Sequence, residues 1–426
     1  MNLKELKNHI QSGKLNDRLL DIYMDPNRLN DQMHRYVDAL THYEELFGDA
    51  DVQILSAPGR TEVGGNHTDH QHGQVLAASI NDDAIAVASP NGSCQIRIQS
   101  QGYDMLTIDL NDLDKKASEE GTSAALIRGV LACTRDKGYR IGGFNAYITS
   151  DVLGGSGLSS SAAYETVIGN ILSHLYNNGR IDAITIAIIG QYAENVYFGK
   201  PCGLMDQMAC SVGSLCHIDF SDPAAPMVAR IEPDMDAASY SLCITDTKGS
   251  HADLTPDYAA VPAEMKSVAA FFGKDVLREV SEETVLSNIP ALRKKLGDRA
   301  VLRALHFYDE NRRVLQETAA LKAGNFAAFL AAVKASGNSS YKFLQNVYTN
   351  HDVQHQNVSM ALCLSEKILG EDGGVCRVHG GGFAGTIQAF VRNDKVAEYK
   401  QGLDRIFGEG SCAVLKIRKY GGMRVI

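Results

Sequence analysis

Apolar residues recur every three to four positions from Leu29 to Phe47, and that spacing predicts a helix, the clearest part of a helical stretch over residues 1–48. From Val52 the character changes. VQILSAPGR, QVLAASI, AIAVAS and QIRIQS are short β-rich runs broken by Gly, Asn and Pro, so a sheet is predicted to begin here. A helix is predicted near residues 123–137, and FNAYITSDV reads as a further strand. The glycine- and serine-rich stretch LGGSGLSSSAA then opens into a long helix with Leu158, Ala162, Val167, Ile171 and Leu175 on its apolar face. A second helix, over about residues 182–198, stops at Gly199-Lys200-Pro201, where the backbone limits of Gly and Pro end it.

The second half restarts the alternation. SYSLCITDT reads as a strand, and helical segments fill most of residues 256–369. CRVHGGG, TIQAFV, a helix over 394–407 and CAVLKIRK follow, which is strand, glycine turn, strand, helix, strand, and suits a split β-α-β half. A soft domain boundary is predicted within residues 219–239, where Asp, Pro and Ala accumulate without apolar periodicity. No internal repeat interrupts this order.

Composition narrows the classes. A chain of 426 residues has room for two domains, and 44% apolar with 22% charged residues describes a folded globular protein. The net charge of −10 is spread without a basic stripe, which argues against nucleic acid or an anionic membrane as the main partner. Apolar runs fall short of a membrane span, and the opening MNLKELKNHI is polar and charged, unlike a leader. Nine cysteines without a CxxC pair read as reduced thiols, so a cytoplasmic location is expected. Cys210 and Cys216 have no matching ligand pair nearby to make a metal site.

Three segments carry candidate chemistry. In the middle, Gly154, Gly155, Ser156, Gly157, Leu158, Ser159, Ser160 and Ser161 let the backbone approach a ligand closely at the start of a helix. The unpaired N–H groups and dipole of that helix favour an anion there. The Gly-Lys-Ser/Thr ending of a Walker A loop is absent, and a plain serine-rich cap would share these features. Earlier, Ala57-Pro58-Gly59-Arg60 leads into Gly64-Gly65-Asn66-His67-Thr68-Asp69-His70, a polar loop in which Asp69 can accept hydroxyl protons and Arg60 supplies a fixed charge. His67, His70 and His72 suggest a metal site, but hydrogen-bonding histidines in a polar loop are the commoner case. Late in the chain, His379-Gly380-Gly381-Gly382-Phe383-Ala384-Gly385 marks a tight turn or a close backbone approach.

In this order the segments resemble the galactokinase branch of the GHMP kinases. Pro58-Gly59-Arg60 with the His67-Thr68-Asp69 loop resembles the branch's sugar-binding signature, and Gly157-Leu158-Ser159-Ser160-Ser161-Ala162 resembles its phosphate loop. The late glycine turn resembles its Gly-Gly-Gly-Phe-Gly-Gly, and Gly203-Leu204-Met205-Asp206-Gln207 resembles its Gly-Ile-Met-Asp-Gln. The resemblance begins near Glu44.

It implies an α+β, two-domain fold, with a mixed-sheet N-terminal domain, a ferredoxin-like C-terminal domain and an active site in the cleft between them. With the helical extension over 1–48, which lies largely outside the resemblance, the expected divisions are an N-terminal domain with the phosphate loop over 49–218 and a C-terminal domain over 219–426. It implies phosphorylation of the anomeric hydroxyl of a small sugar by ATP with Mg²⁺, by a monomer or weak homo-oligomer. Carried over by position, Asp206 is the catalytic base and Arg60 the cation beside it. Glu194 and Ser161, or failing that Ser160, are the Mg²⁺ ligands. Asn66, His67, Asp69, Tyr258 and Gly203 fall at sugar-binding positions.

The sequence departs from the galactokinase pattern at telling places. Asn66 replaces a Glu that is expected to bond the sugar's C6 hydroxyl, His70 replaces a Tyr, and Glu62 replaces an Asn. Asp69-His70-Gln71 resembles the galacturonokinases instead, so galactose and galacturonate are both candidate substrates. A sugar-sensing relative without turnover is a further alternative, against which the intact Ser159-Ser160-Ser161, Asp206 and Glu194 speak. An isoprenoid or amino-acid alcohol kinase of the same superfamily is another, and the His-Thr-Asp loop argues against it.

Overall fold

Two long strands, β1 (Gln53–Gly64) and β2 (Gln74–Pro90), organise the chain, and each contributes residues to both of its packing units. The computed structural model describes residues 1–152, 157–233, 235–249 and 254–426. The first unit comprises Met1–Arg60, Ser79–Ser214 and Lys416–Ile426, and the second comprises Thr61–Ala78 and Leu215–Leu415.

QVLAASI and AIAVAS are one continuous strand rather than two. The polar residues between them, which suggest a break, are satisfied inside the first unit. Asn81 Nδ2 donates to the Tyr23 carbonyl at 3.2 Å, and Arg28 reaches Asp82 at 2.6 Å. Asp83 is fully buried and accepts from Arg35 and Arg418, each at 2.8 Å, and from Tyr23 at 2.9 Å. Burial raises the Asp83 carboxyl, but the two guanidinium groups outweigh it and hold the group below the ordinary carboxylate range.

The sheet of the first unit runs β12 (Met423–Arg424), β1, β2, β5 (Phe144–Ser150), β3 (Gln95–Ser100), β4 (Leu106–Asp109). β5 is antiparallel to β2, with Ala86 opposite Ile148, and parallel to β3, with Ile98 opposite Ala146, so the sheet is mixed. Side chains alternate across it. Ala86 and Ala88 face a core with helices α4 (Ser123–Asp136), α5 (Ser160–Tyr176) and α6 (Ala183–Tyr192). Ile85 and Val87 face a second core with α1 (Leu3–Gln11), α2 (Asn16–Tyr23) and α3 (Leu29–Phe47). The helix predicted over 182–198 holds, but its last turn, Ala193–Phe198, is π-helical. After a short loop comes α7 (Met205–Val212).

In the second unit β6 (Leu215–Asp219) pairs antiparallel with the start of β2, Gln74 opposite Asp219, and with β7 (Met227–Ile231). A separate antiparallel sheet has the order β11 (Cys412–Leu415), β8 (Tyr240–Asp246), β10 (Thr386–Arg392), β9 (Gly374–Val378). Its strands are joined as a split β-α-β unit, giving the ferredoxin-like arrangement. The helices are α8 (Met235–Ala238), α9 (Thr255–Phe271), α10 (Glu282–Ser287), α11 (Ile289–Leu296), α12 (Asp298–Lys322), α13 (Phe326–Ser339), α14 (Asn357–Leu369) and α15 (Val396–Phe407). Val261, Met265, Leu292 and Ala304 share one core of this unit, and Val378, Ile387, Tyr399 and Leu403 share another. Among the described residues no helix is long and apolar enough to cross a membrane.

Candidate active site

In the first unit, β1 meets the loop before α5. A Cβ on Gly59 would lie 2.9 Å from the Leu158 carbonyl oxygen, so glycine is what allows the approach. The next residue exploits it. Arg60 N–H donates to that carbonyl at 3.0 Å, and its Nη1 donates to the Gly157 carbonyl at 2.5 Å. Its Nε and Nη2 then grip Asp206 Oδ1 and Oδ2 at 2.7 and 2.8 Å. This is a bidentate pair, the strongest form of carboxylate–guanidinium contact.

Asp206 lies in the first turn of α7 and also accepts from the Ser159 hydroxyl. Burial pushes its carboxyl up, but Arg60 and the Ser159 bond outweigh this and hold it below the ordinary carboxylate range. Its side chain keeps 33% of its surface accessible, so the carboxylate is anionic, fixed and reachable. Ser159 reaches it from a left-handed conformation, φ 60°, immediately before α5 begins at Ser160.

In the first turn of α5, the Ser161 hydroxyl donates to Glu194 Oε1 at 3.2 Å. Glu194 is buried on the π-helical turn, an insertion that often re-aims side chains at functional sites. Lys200 Nζ lies 3.2 Å from the same oxygen, and Gln207 Nε2 donates to Oε2 at 2.7 Å. Gly203 lies in the loop before α7, which is tied down where Asn195 Oδ1 accepts from Cys202 N–H at 2.6 Å. A hard cation requires oxygen donors, and Ser161 with Glu194 supplies two that converge. Of the predicted phosphate loop, Gly157 to Ser161 are described, and Gly154, Gly155 and Ser156 lie outside the described residues.

The second unit gathers Asn66, His67 and Tyr258 around the late glycine turn. His67 takes φ 59° and its Nε2 lies 3.0 Å from the Gly381 carbonyl. That bond requires a proton on Nε2, which leaves Nδ1 as an acceptor, buried and without a partner among the described residues. Burial first, and His70 second, pull the His67 ring down to about 4, so it is neutral at pH 7. The two rings lie 5.7 Å apart. Among the described residues no set of side chains is arranged to hold a metal through histidine.

Asp69 starts a single 3-10 turn and accepts from the His70 N–H at 2.9 Å. Tyr258 donates to the Gly382 carbonyl at 2.8 Å and stands edge-on to Phe383. A Cβ on Gly381 would strike the Tyr258 ring, so the turn needs glycine there.

Asn66 is different. It is fully buried, and its amide is used up within the second unit. Nδ2 donates to Glu62 Oε1 at 2.9 Å and to the Gly380 carbonyl at 2.7 Å. Oδ1 accepts from Ser340 at 3.1 Å and from Asn346 at 2.8 Å. Glu62 in turn takes Arg377 Nη2 at 2.6 Å. Gln71 is also fully buried, and its Oε1 accepts from Leu277 N–H at 3.0 Å.

Sequence reasoning passed over Lys200, Gln207, Arg377, Ser340 and Asn346. Gln207 stood inside a recognised string, next to Asp206. Lys200 meets Glu194 six residues back, across the end of the helix, while Arg377, Ser340 and Asn346 meet their partners across long sequence separations that no local pattern marks.

Comparison with known proteins adds to this geometry. The galactokinase galactose-binding signature matches residues 41–90, and the GHMP kinase N-terminal domain matches residues 125–214. The galactokinase of Glaesserella parasuis is 32% identical over 84% of this chain and 89% of its own. That of Streptomyces coelicolor is 30% identical over 82% and 87%. Among solved structures, Lactococcus lactis galactokinase in complex with galactose superposes with a TM-score of 0.77 at 25% identity, covering 91% of this chain and all of its own. Methanococcus jannaschii mevalonate kinase, 13% identical with a TM-score of 0.61 over 86% and 99%, shares the fold. With a relative at this identity spanning most of both chains, the protein belongs to the galactokinase family of GHMP kinases.

Proposed function

We propose that the protein transfers the γ-phosphoryl group of ATP to the anomeric hydroxyl of galactose, releasing ADP and galactose 1-phosphate. The observation that carries this reading is Asp206, an ionised and accessible carboxylate locked by Arg60 on the segment that matches the GHMP kinase N-terminal domain.

Phosphoryl transfer depends on positioning and on neutralising charge, with a group to take the hydroxyl proton. Asp206 takes that proton. Its lowered pKa makes it a weak base, so the proton moves late, once the oxygen has begun to bond phosphorus and the hydroxyl has become acidic. Arg60 and Ser159 hold both carboxylate oxygens, so Asp206 cannot swing away. The N-terminus of α5, with Ser159 to Ser161, offers donors to the phosphates. Ser161 and Glu194 would hold Mg²⁺, whose contribution is to neutralise charge on the phosphate oxygens. For the sugar, His67, Asp69 and Tyr258 are the candidate contacts of the second unit, and Gly203 is a candidate in the first unit.

Asn66, which departs from the galactokinase pattern, and Gln71, part of the string that resembles galacturonokinases, bond inside the second unit, Gln71 through Oε1. Neither supports an acidic sugar over a neutral one. The test is ADP release over galactose, galacturonate, glucuronate and N-acetylgalactosamine. Turnover on galactose well above the others supports the proposal, and turnover on galacturonate alone replaces it.

A further inference from the structure

The first turn of α7 presents two consecutive side chains to two different parts of the first unit. Asp206 reaches Arg60 and Ser159, while Gln207, fully buried, reaches Glu194 and Glu165. Its Nε2 donates to Glu194 Oε2 at 2.7 Å and to Glu165 Oε2 at 3.1 Å. Glu194 is thereby divided into two halves. Oε2 is pinned from behind by an amide, and Oε1 is the oxygen within reach of Ser161 and Lys200.

The space for this arrangement is itself specific. A Cβ on Gly190, in α6, would lie 2.9 Å from Glu165 Oε2 and 3.1 Å from Gln207 Cγ, so a side chain there would press on both. Glu165 Oε1 and Gln207 Oε1 are buried without partners among the described residues, an arrangement with a desolvation cost and no evident gain in stability. Costs of this kind accumulate where a site must hold a geometry.

We propose that Gln207 is the positioning residue for Glu194, fixing the carboxylate so that Oε1 faces Ser161 and the pair can take the nucleotide's divalent cation. This rests on the reading of Glu194 and Ser161 as the Mg²⁺ ligands. It makes one helix turn set both the proton acceptor and the metal ligand, so a shift of α7 moves the two together. In this role Gln207 acts through Glu194 rather than as a ligand itself. Its contribution is to the orientation of a ligand, and such contacts carry about ten- to a hundredfold in metal affinity.

The experiment uses the full chain and Mn²⁺ as the spectroscopic probe. Mn²⁺ affinity in the presence of a non-hydrolysable ATP analogue is measured by electron paramagnetic resonance for wild type, Gln207→Met, Gln207→Asn and Glu194→Gln. Galactose affinity and metal-free melting temperature are measured alongside. Gln207→Met keeps the length and removes the donor, and Gln207→Asn keeps the donor and removes the reach. The expected result is at least a tenfold loss of Mn²⁺ affinity in either Gln207 variant that folds, with galactose affinity within twofold and turnover recovering at high Mg²⁺. If Glu194→Gln weakens Mn²⁺ while both Gln207 variants bind it within twofold of wild type, the positioning role is overturned. It is also overturned if the Gln207 variants lose Mn²⁺ and galactose affinity in equal measure, or if neither variant folds, since each outcome makes Gln207 a general packing residue. If Glu194→Gln itself leaves Mn²⁺ affinity unchanged, the metal-ligand reading fails first.

Discussion

The Asn66 amide donates to the Glu62 carboxylate at 2.9 Å, four residues back along the same strand and loop, at a point where both side chains are buried. Relative to the galactokinase pattern the two residue types have changed places, and the carboxylate now pairs with Arg377 instead of occupying position 66. Restoring Glu at position 66 alone would set two carboxylates against each other. At about 3 Å and an effective dielectric near 20 the repulsion is roughly 5 kcal/mol before relaxation.

Asn66→Glu is therefore expected to lower the melting temperature and to depress activity on every sugar. Glu62→Asn/Asn66→Glu should be more stable than Asn66→Glu by more than the single effects sum to, with a coupling of about 1 kcal/mol or more. Denaturant unfolding of the four proteins measures it. Additive effects would show that the two positions are independent.

Asp206→Asn keeps the size of the side chain and removes the proton acceptor. Turnover should fall by about 10²–10⁴-fold, with galactose and nucleotide affinities near wild type. Near-normal kcat with binding intact would remove Asp206 from the role of base.

How much of this was legible in the sequence varies by element. The helix at Leu29–Phe47 follows from its apolar spacing, and the alternation of the second half into strand, turn, strand, helix and strand is what the C-terminal sheet shows. The unbroken β2 was not legible, because Asn81, Asp82 and Asp83 look like a turn until Tyr23, Arg28, Arg35 and Arg418 arrive from distant segments to satisfy them. The π-helical turn at Glu194 was equally hidden, since an inserted residue leaves the apolar period almost intact. For the site, Arg60, Asp206, Ser161 and Glu194 are brought together as hydrogen-bonded partners in the first unit. Asn66 was legible as unusual but not as buried and saturated, because its partners Ser340, Asn346 and Gly380 lie about 270 residues or more away.

The proposed sugar contact of His67 carries a pH prediction. With its ring pulled down to about 4 by burial, it stays neutral from pH 8 to 5.5, and Nδ1 keeps its lone pair throughout. Galactose affinity should be flat across that range and weaken only as the pH approaches 4. Titration calorimetry at several pH values checks this, and a step centred near 6.5 would mean an ordinary, exposed imidazole.

Glu317 gives a stability prediction of the opposite sign. Both of its carboxylate oxygens are buried without partners among the described residues, and a Cβ on Gly64 would overlap them. Burial, reinforced by Glu310 and Glu62 and opposed by Arg377 and Arg313, raises its pKa well above the ordinary value. Folding then takes up a proton, so this contribution to stability is full below the unfolded pKa and is lost as the pH rises towards the folded one. Glu317→Gln has no proton to take up. Its melting temperature relative to wild type should climb steadily from pH 5 to pH 8, and a constant difference would show that Glu317 is ionised in the folded protein.

In the proposed reaction Asp206, held by Arg60, takes the anomeric proton while phosphorus is delivered to that oxygen. Phosphorus and carbon NMR of a reaction with ATP, Mg²⁺ and C1-labelled galactose reads this directly, because phosphate on the anomeric oxygen splits the labelled carbon signal. The predicted result is one product, phosphorylated at the anomeric oxygen, formed by wild type and reduced by about 10²–10⁴-fold in Asp206→Asn. Phosphate at another hydroxyl, no product with galactose, or an undiminished rate in Asp206→Asn would contradict the account.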